Sequence, residues 1–209
     1  GTISETFEIK ELPIYSGLDI CYVTADSLDI TKNRIFINEG IDPYNIAKFI
    51  IYREGVVANQ YDPIGEIDVT SGEGSFLDDI DNRVQAVRYK VAIEDNCGNI
   101  SPMSDIPHVT NHLTANQGIG GEINLIWSGY EGMFVPTYQI YKSTNEGDFE
   151  LLTEVSSNNK SYTDFDVNPA NAYKYFIGFE ADVNCVAEGG GIAIEHHDFD
   201  DINNVYIPS

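Results

Sequence analysis

Residues 161–179, S-Y-T-D-F-D-V-N-P-A-N-A-Y-K-Y-F-I-G-F, decide the fold because their pattern occurs twice. Residues 75–93, S-F-L-D-D-I-D-N-R-V-Q-A-V-R-Y-K-V-A-I, align with them without a gap at an offset of 86 residues (161 minus 75). Each copy reads as a short extended piece, a polar turn and a strand whose alternate residues are apolar, the period of a half-buried strand. The chain is therefore predicted to repeat one all-β unit.

Length and composition agree with two β-rich units. A chain of 209 residues is long enough for two domains, each with a core of its own. Thirteen Tyr, ten Phe and eighteen Gly favour strands and turns over helices, so almost no helix is expected.

Turn signals separate short apolar runs in the same order in both units. The strands predicted for the first unit are 20–24, 34–37, 48–52, 65–69, 76–77 and 86–94. Those predicted for the second unit are 111–114, 124–127, 138–142, 149–155, 172–180 and 191–195. A run of short strands with turns between them, seven in a complete unit, is typical of an immunoglobulin-like β-sandwich.

These patterns divide the chain into four parts. Residues 1–18 form an arm or the end of a preceding module, 19–110 the first domain, 111–197 the second domain and 198–209 a tail. The connection near 108–117 is short, so the two units are expected to be set rigidly against each other with limited hinging.

Four stretches of the second unit resemble the B, C, E and F strands of fibronectin type III domains. They are I-N-L-I-W (123–127), T-Y-Q-I-Y-K (137–142), S-Y-T-D (161–164) and V-N-P-A-N-A-Y-K-Y (167–175). The resemblance implies two consecutive seven-stranded sandwiches. The residues that it places in the two cores are Trp127, Tyr138, Tyr173, Tyr175 and, in the first unit, Tyr89. It also implies that the Tyr173 hydroxyl group returns to the backbone of its own turn.

The first unit departs from this family pattern. Ile37 stands where the second unit has Trp127, and Val87 stands where it has Tyr173. The assignment of the first unit therefore rests on the repeat more than on its own motifs.

The chain as a whole is similar to paired fibronectin III-like modules of surface and secreted proteins of Bacteroidetes-type bacteria. The similar stretches include D-I-C-Y-V-T-A-D (19–26), E-D-N-C-G-N-I-S-P-M-S (94–104) and N-L-I-W-S-G-Y-E-G (124–132). The resemblance implies an extracellular, cell-surface or periplasmic location and a modular, non-catalytic role. It implies no particular ligand.

Three cysteines cannot all pair within one chain. In a fibronectin-like sandwich Cys21 and Cys97 lie at the same end of the domain, so a Cys21–Cys97 disulfide is predicted. Closing a loop of that length would contribute about 4 kcal/mol in the chain-entropy model. Cys185 is then expected to be free, and three reduced thiols in a cytosolic protein are the alternative.

The net charge of −23 excludes some partners. Such a charge repels a phosphate backbone and an anionic membrane, so neither nucleic acid binding nor membrane insertion is predicted. No cofactor is predicted. Asp78, Asp79 and Asp81 could bind Ca²⁺ through hard oxygen ligands, or they could simply form an acidic turn.

No motif of enzymatic chemistry occurs in the sequence. It lacks G-x-S-x-G, H-E-x-x-H and C-x-x-C, so the chain is predicted not to be an enzyme. Tyr130, Phe134 and Tyr141 could stack on sugar rings or dock a protein, or they could pack into the sandwich or between the units.

Together these observations predict a non-catalytic structural and interaction module of a larger exported bacterial protein, acting in adhesion or spacing. The alternative is a glycan- or protein-binding module that is accessory to a surface enzyme or adhesin. An accessory enzyme would require a deep pocket with converging carboxylates. Fold alone does not decide between these functions.

Overall fold

The computed structural model describes residues 20–26, 29, 31–37, 46–69, 74–81, 83–180 and 205–207. Every regular element within these ranges is a β-strand, which confirms the predicted all-β fold. No helix in the described part of the chain is long and apolar enough to cross a membrane.

The first sandwich faces a three-stranded sheet against a four-stranded sheet. Its strands are β1 (Ile20–Ala25), β2 (Asn33–Ile37), β3 (Ile46–Glu54), β4 (Tyr61–Asp68), β5 (Ser75–Asp78), β6 (Arg88–Asp95) and β7 (His108–Val109). They pair in the orders β1-β2-β5 and β4-β3-β6-β7, and every pairing is antiparallel. The repeat therefore forms a complete sandwich even where the family motifs are missing.

The second sandwich has the same topology. Its strands are β8 (Leu113–Gln117), β9 (Ile123–Trp127), β10 (Thr137–Thr144), β11 (Glu150–Ser156), β12 (Ser161–Asp164), β13 (Tyr173–Gly178) and β14 (Val205–Ile207). They pair in the orders β12-β9-β8 and β11-β10-β13-β14. In strand letters, both units place A, B and E against C′, C, F and G, which is the fibronectin type III-like arrangement.

Each sandwich has its own hydrophobic core. Alternate residues of β6, Tyr89, Val91 and Ile93, face Ile35 of β2 in the first core. The matching strand β13 contributes Tyr175 and other residues to a separate second core. Each large side chain that is fully buried contributes roughly 1.5–3 kcal/mol, so each unit has its own source of stability.

The strand that completes the second sandwich corrects one predicted boundary. Val205–Ile207 pairs with β13, although 198–209 was predicted to be a tail. The predicted strand at 191–195 and the predicted arm at 1–18 lie outside the described residues. In the first sandwich β4 begins at Tyr61, earlier than the predicted 65–69.

A carboxylate in the interior of each sandwich is bound by a tyrosine and a cation. In the first, Tyr89 Oη donates to Asp78 Oδ2 at 2.8 Å and Arg53 Nη1 donates to Asp78 Oδ1 at 2.6 Å. Burial, reinforced by this carboxylate, raises the pKa of Tyr89 well above its usual value.

The second sandwich repeats this cluster with a different cation. Tyr175 Oη donates to Asp164 Oδ2 at 2.7 Å, and Lys142 Nζ lies 2.7 Å from the same oxygen atom. Burial and the bond to Asp164 raise the pKa of Tyr175. Both aspartates are the last residue of the S-x-x-D strand, so each cluster ties strand E to strands C and F.

We expect Asp164→Ala to destabilise the second sandwich by about 3–5 kcal/mol, because it leaves a mostly buried Lys142 without its counter-charge. Urea unfolding measures this change. Asp148→Ala, at an exposed position of the same sandwich, should change stability by less than about 0.5 kcal/mol. Equal effects of the two substitutions would contradict a stabilising role for the cluster.

Candidate functional site

Tyr130 connects the two sandwiches. It lies in the loop between β9 and β10 and is buried. Its hydroxyl oxygen accepts a hydrogen bond from the backbone N–H of Val23 in β1 at 2.8 Å, and the same oxygen lies 2.8 Å from Nδ1 of His108 in β7. One phenol group of the second sandwich thus binds two strands of the first.

The protonation of His108 follows from these contacts. Tyr130 has one hydroxyl hydrogen, which it can donate to Nδ1 of a neutral imidazole while its oxygen accepts from the Val23 N–H. Burial disfavours the imidazolium ion and lowers the pKa of His108 to about 4. His108 is therefore neutral at physiological pH, and its ring is held by the Tyr130 hydroxyl group.

A backbone bridge lies beside the phenol. The Val109 N–H donates to the Glu131 carbonyl oxygen at 3.0 Å, and the Glu131 N–H donates to the Val109 carbonyl oxygen at 3.2 Å. Glu131 thereby continues the four-stranded sheet of the first sandwich by one residue of the second.

The connecting segment is hydrogen-bonded to both sandwiches. The Thr110 N–H donates to the Val87 carbonyl oxygen at 3.0 Å, and Thr110 Oγ1 accepts from the Val87 N–H at 2.9 Å. Two residues later, the His112 N–H donates to Ser128 Oγ at 2.8 Å and the His112 carbonyl oxygen accepts from the Ser128 N–H at 3.0 Å. We call residues 108–112 together with 128–132 the joint.

Gly132 is required at the joint for two reasons. Its φ of +110° is unfavourable for any residue with a side chain. A Cβ atom at this position would lie 2.5 Å from Cγ and Cδ2 of His108. The loop can therefore pass over the buried His108 ring only with glycine at position 132.

Ion pairs at the surface of the joint contribute little. Arg88 Nε lies 3.6 Å from Glu54 Oε2, and Arg88 Nη2 lies 3.4 Å from Glu131 Oε1. These side chains are partly exposed, and such pairs typically contribute about 0–1 kcal/mol. The buried hydrogen bonds therefore dominate the stability of the joint.

A second candidate site is an aromatic cluster on the outer side of the second sandwich. The Tyr141 and Phe176 rings stack with centroids 4.4 Å apart, and Phe149 meets Phe176 edge-on at 4.8 Å. Leu151 of β11 pairs with Tyr141 and is 50% exposed. We call Tyr141, Phe149, Leu151 and Phe176 the β11 face.

Acidic side chains border the β11 face. Glu150 and Glu154 are exposed on β11, which contains no Lys or Arg. Glu154 Oε1 accepts from Gln139 Nε2 at 3.0 Å, and Tyr141 Oη lies 3.2 Å from Gln139 Oε1. Burial, together with the charges of Glu154 and Glu180, raises the pKa of Tyr141. The arrangement can bind apolar and basic groups side by side.

The three aromatic residues predicted as ligand contacts lie in different surroundings. Tyr130 is buried in the joint and Tyr141 is buried in the ring stack, so neither presents an open ring. Phe134 is 82% exposed. The sequence pattern could not separate these cases, because all three lie in or beside the same loop and strand.

The residues predicted for the cores are all buried. They are Trp127, Tyr138, Tyr173, Tyr175 and Tyr89. The Tyr173 hydroxyl oxygen accepts a hydrogen bond from the Asn168 N–H at 2.7 Å, which is the return to the turn that the family resemblance implies. The Tyr138 hydroxyl oxygen accepts from the Tyr130 N–H at 2.9 Å and so supports the joint from within the core.

The predicted disulfide between Cys21 and Cys97 is wrong. Cys97 is a free, exposed thiol in the turn after β6, whereas Cys21 is buried in β1. The Asp95 carboxylate holds this turn by accepting from the backbone N–H groups of Cys97 and Asn99, both at 2.8 Å. The turn is therefore held by local hydrogen bonds, and the Cys97 thiol forms no disulfide to β1. Cys185 lies outside the described residues.

The carboxylates considered for Ca²⁺ are engaged within the chain. Asp78 binds Tyr89 and Arg53, as described above, and Asp81 binds Arg83 with an oxygen-to-nitrogen distance of 2.6 Å. Hydrogen bonds from Arg83 lower the pKa of Asp81. Among the described residues, no three His, Cys, Asp or Glu side chains converge as metal ligands do.

Sequence reasoning missed most of the joint. His108, Glu131 and Gly132 lie far from Val23 in sequence, and no local periodicity relates them. A signal was available for the buried clusters, because both copies of the repeat place an Asp and a Tyr at equivalent positions.

The strand order and the paired cores define a tandem of fibronectin type III-like β-sandwiches. Known structures similar to this chain contain such tandems. The FN1-FN3 domains of chicken CNTN1 match with 15% identity and a TM-score of 0.31 over 71% of this chain, which spans 57% of that chain.

Two further structures are similar over more of the chain. The central fibronectin-III array of RIM-binding protein has 11% identity and a TM-score of 0.34, with 91% of this chain and 68% of that chain covered. A segment of two fibronectin type-III domains from chicken tenascin has 9% identity and a TM-score of 0.35, with 92% and 97% covered. No protein-family model and no curated protein matches the sequence.

We expect Tyr130→Phe to destabilise the protein by about 1–3 kcal/mol, because the buried Val23 N–H loses its acceptor and His108 Nδ1 loses its hydrogen-bond partner. Chemical denaturation followed by tryptophan fluorescence measures the change. Tyr162→Phe removes a hydroxyl group from the same sandwich away from the joint and serves as the matched control. A Tyr130→Phe protein as stable as this control would show that the phenol does not hold the joint.

The free energy of unfolding should decrease as the pH falls from about 6.5 to about 4. In this window the unfolded chain binds a proton on His108 and the folded chain does not, so protonation favours unfolding by up to about 3 kcal/mol. His108→Gln should remove this part of the pH dependence. Denaturation of both proteins at a series of pH values tests it, and parallel profiles would exclude His108 as the source.

Proposed function

We propose that the chain is a rigid, non-catalytic spacer and interaction module of a larger exported bacterial cell-surface or secreted protein. The observation that carries this proposal is the joint, in which residues 108–112 are hydrogen-bonded to both sandwiches. A spacer has to hold its ends at a fixed distance and orientation, and a flexible linker would not do so.

The energetics of the joint support rigidity. Interfaces between domains of one chain commonly permit relative motion. Here, opening the interface would exchange the bonds of Tyr130 to the Val23 N–H and to Nδ1 of His108 for bonds to water, and each such intramolecular hydrogen bond contributes a net of about 0.5–1.5 kcal/mol. The closed arrangement is therefore favoured over a range of hinged ones.

A non-catalytic role is supported by how charged groups are used. The buried carboxylates Asp78 and Asp164 are bound by tyrosine and a cation within their own cores. The first sandwich also has an open pocket of about 420 Å³ where β2, β4 and β5 come together, lined in part by Arg34 and Glu66. Both are already paired, Arg34 with Asp26 at 2.6 Å and Glu66 with Lys48 at 2.8 Å.

An exported location is supported by the family resemblance and by the charge. The resemblance to paired modules of bacterial surface and secreted proteins covers most of residues 19–185. A net charge of −23 keeps an exposed module soluble and away from anionic surfaces. Protease treatment of intact cells of the source bacterium, followed by detection of this segment, tests exposure on the surface.

A binding function is the second candidate, and the β11 face favours it. Phe149 is 37% exposed and Leu151 is 50% exposed, and both border a stacked aromatic pair. Apolar groups that remain exposed beside acidic ones are typical of surfaces that dock a protein. Spacing and docking are compatible in one module.

Residual dipolar couplings measured by NMR test the rigid joint. The two sandwiches should share one alignment tensor, because the joint prevents independent reorientation. Tyr130→Ala, which removes the phenol altogether, should give two distinct tensors, whereas Phe134→Ala at an exposed position nearby should not. Independent tensors in the unaltered protein would overturn the rigid spacer.

A further inference from the structure

Strand β11 has one side that is free to pair. It is the terminal strand of the sheet β11-β10-β13-β14, and within the described ranges only β10 is hydrogen-bonded to it. Such an edge presents a row of backbone N–H and C=O groups to any extended chain that approaches.

The matching edge of the first sandwich is protected. Strand β4 contains Pro63, which has no backbone N–H and is confined to edges that do not pair further. Strand β11, of seven residues, has no proline and is the longest edge strand of the described part of the chain with this property. Of these two equivalent edges, the one in the first sandwich is therefore blocked by a proline, and the one in the second sandwich is open.

A β-bulge determines which side chains of β11 face outward. The pairing with β10 shifts between Ile140 and Tyr141, and Leu152 is the extra residue. Leu152 and Val155 therefore pack toward the core, while Leu151 and Glu154 lie on the outer side. The open edge carries an apolar and an acidic side chain next to each other.

We propose that β11 is the docking edge for an extended basic segment of a partner protein, in which pairs of Lys or Arg alternate with pairs of apolar residues, so that each face of the added strand carries both kinds of side chain. The proposal rests on the interaction role proposed above. The partner's backbone would add a strand to the sheet. Its apolar side chains would cover Leu151 and Phe149, and its cations would pair with Glu150 and Glu154.

Charge distinguishes this partner from a second copy of the chain. Two copies joined through β11 would bring Glu150 and Glu154 of one close to the same residues of the other, and like charges on adjacent strands are destabilising. Each copy also carries a net charge of −23, which opposes association. A basic strand avoids both the repulsion between glutamates on adjacent strands and the repulsion between two negative net charges.

NMR titration with a synthetic peptide tests the proposal. The probe is a capped peptide of about eight residues in which pairs of lysines alternate with pairs of valines, a length typical of a strand. The largest amide shifts should fall in residues 150–156 and their β10 neighbours, and the same peptide with glutamate in place of lysine should cause none.

Matched variants assign the site. Glu154→Lys and Leu151→Lys should each weaken binding of the lysine peptide about tenfold or more, since each places a cation on the docking edge. Asp62→Lys makes the equivalent change on β4 and should leave binding unchanged. Because both β11 positions are substantially exposed, all three proteins are expected to fold, and their amide spectra show whether they do.

Three results would overturn the docking edge. They are shifts scattered over the acidic surface, equal weakening by Asp62→Lys, and association of the chain with itself through β11 in the absence of peptide. A shared alignment tensor with any of these results would leave the rigid spacer intact. Separate tensors with specific peptide binding would overturn the spacer and retain the docking edge.

Discussion

The hydroxyl group of Tyr130 is the contact on which the relation between the two sandwiches depends. Its oxygen accepts a hydrogen bond from the backbone N–H of Val23 and lies within hydrogen-bonding distance of His108. One atom of the second unit therefore contacts both the first and the last strand of the first unit. Burial strengthens this arrangement, because a hydrogen bond in the low-dielectric interior is electrostatically stronger than one in water. These contacts join the two domains directly, in addition to the chain that connects them.

Inside each sandwich, the aspartate that ends strand E connects strands to one another, as Tyr130 connects the two sandwiches. Asp78 and Asp164 each bring a tyrosine and a cation from other strands to one carboxylate. The cation changes from arginine to lysine between the copies while the geometry remains. The repeat therefore preserves an interaction more strictly than it preserves the residues that make it.

The two edge strands β4 and β11 have diverged in residues that the fold does not require. Strand β4 contains Pro63, whereas its counterpart β11 has exposed Leu151 and Glu154 beside a stacked aromatic pair. Residues at an edge are not constrained by core packing, so they can change without loss of the fold. This freedom permits the edge of one sandwich to change while the topology of both stays the same.

The sequence by itself determined the two sandwiches, because strand periodicity and the repeated S-x-x-D and Tyr positions are local signals that core packing then satisfies. It did not determine the partner of Tyr130, the free state of Cys97, or the burial of Tyr141. Contacts between residues 107 positions apart, such as Val23 and Tyr130, leave no periodic trace in the chain. Only the tertiary structure decided them, because they depend on how two finished units meet and on which strand remains at an edge.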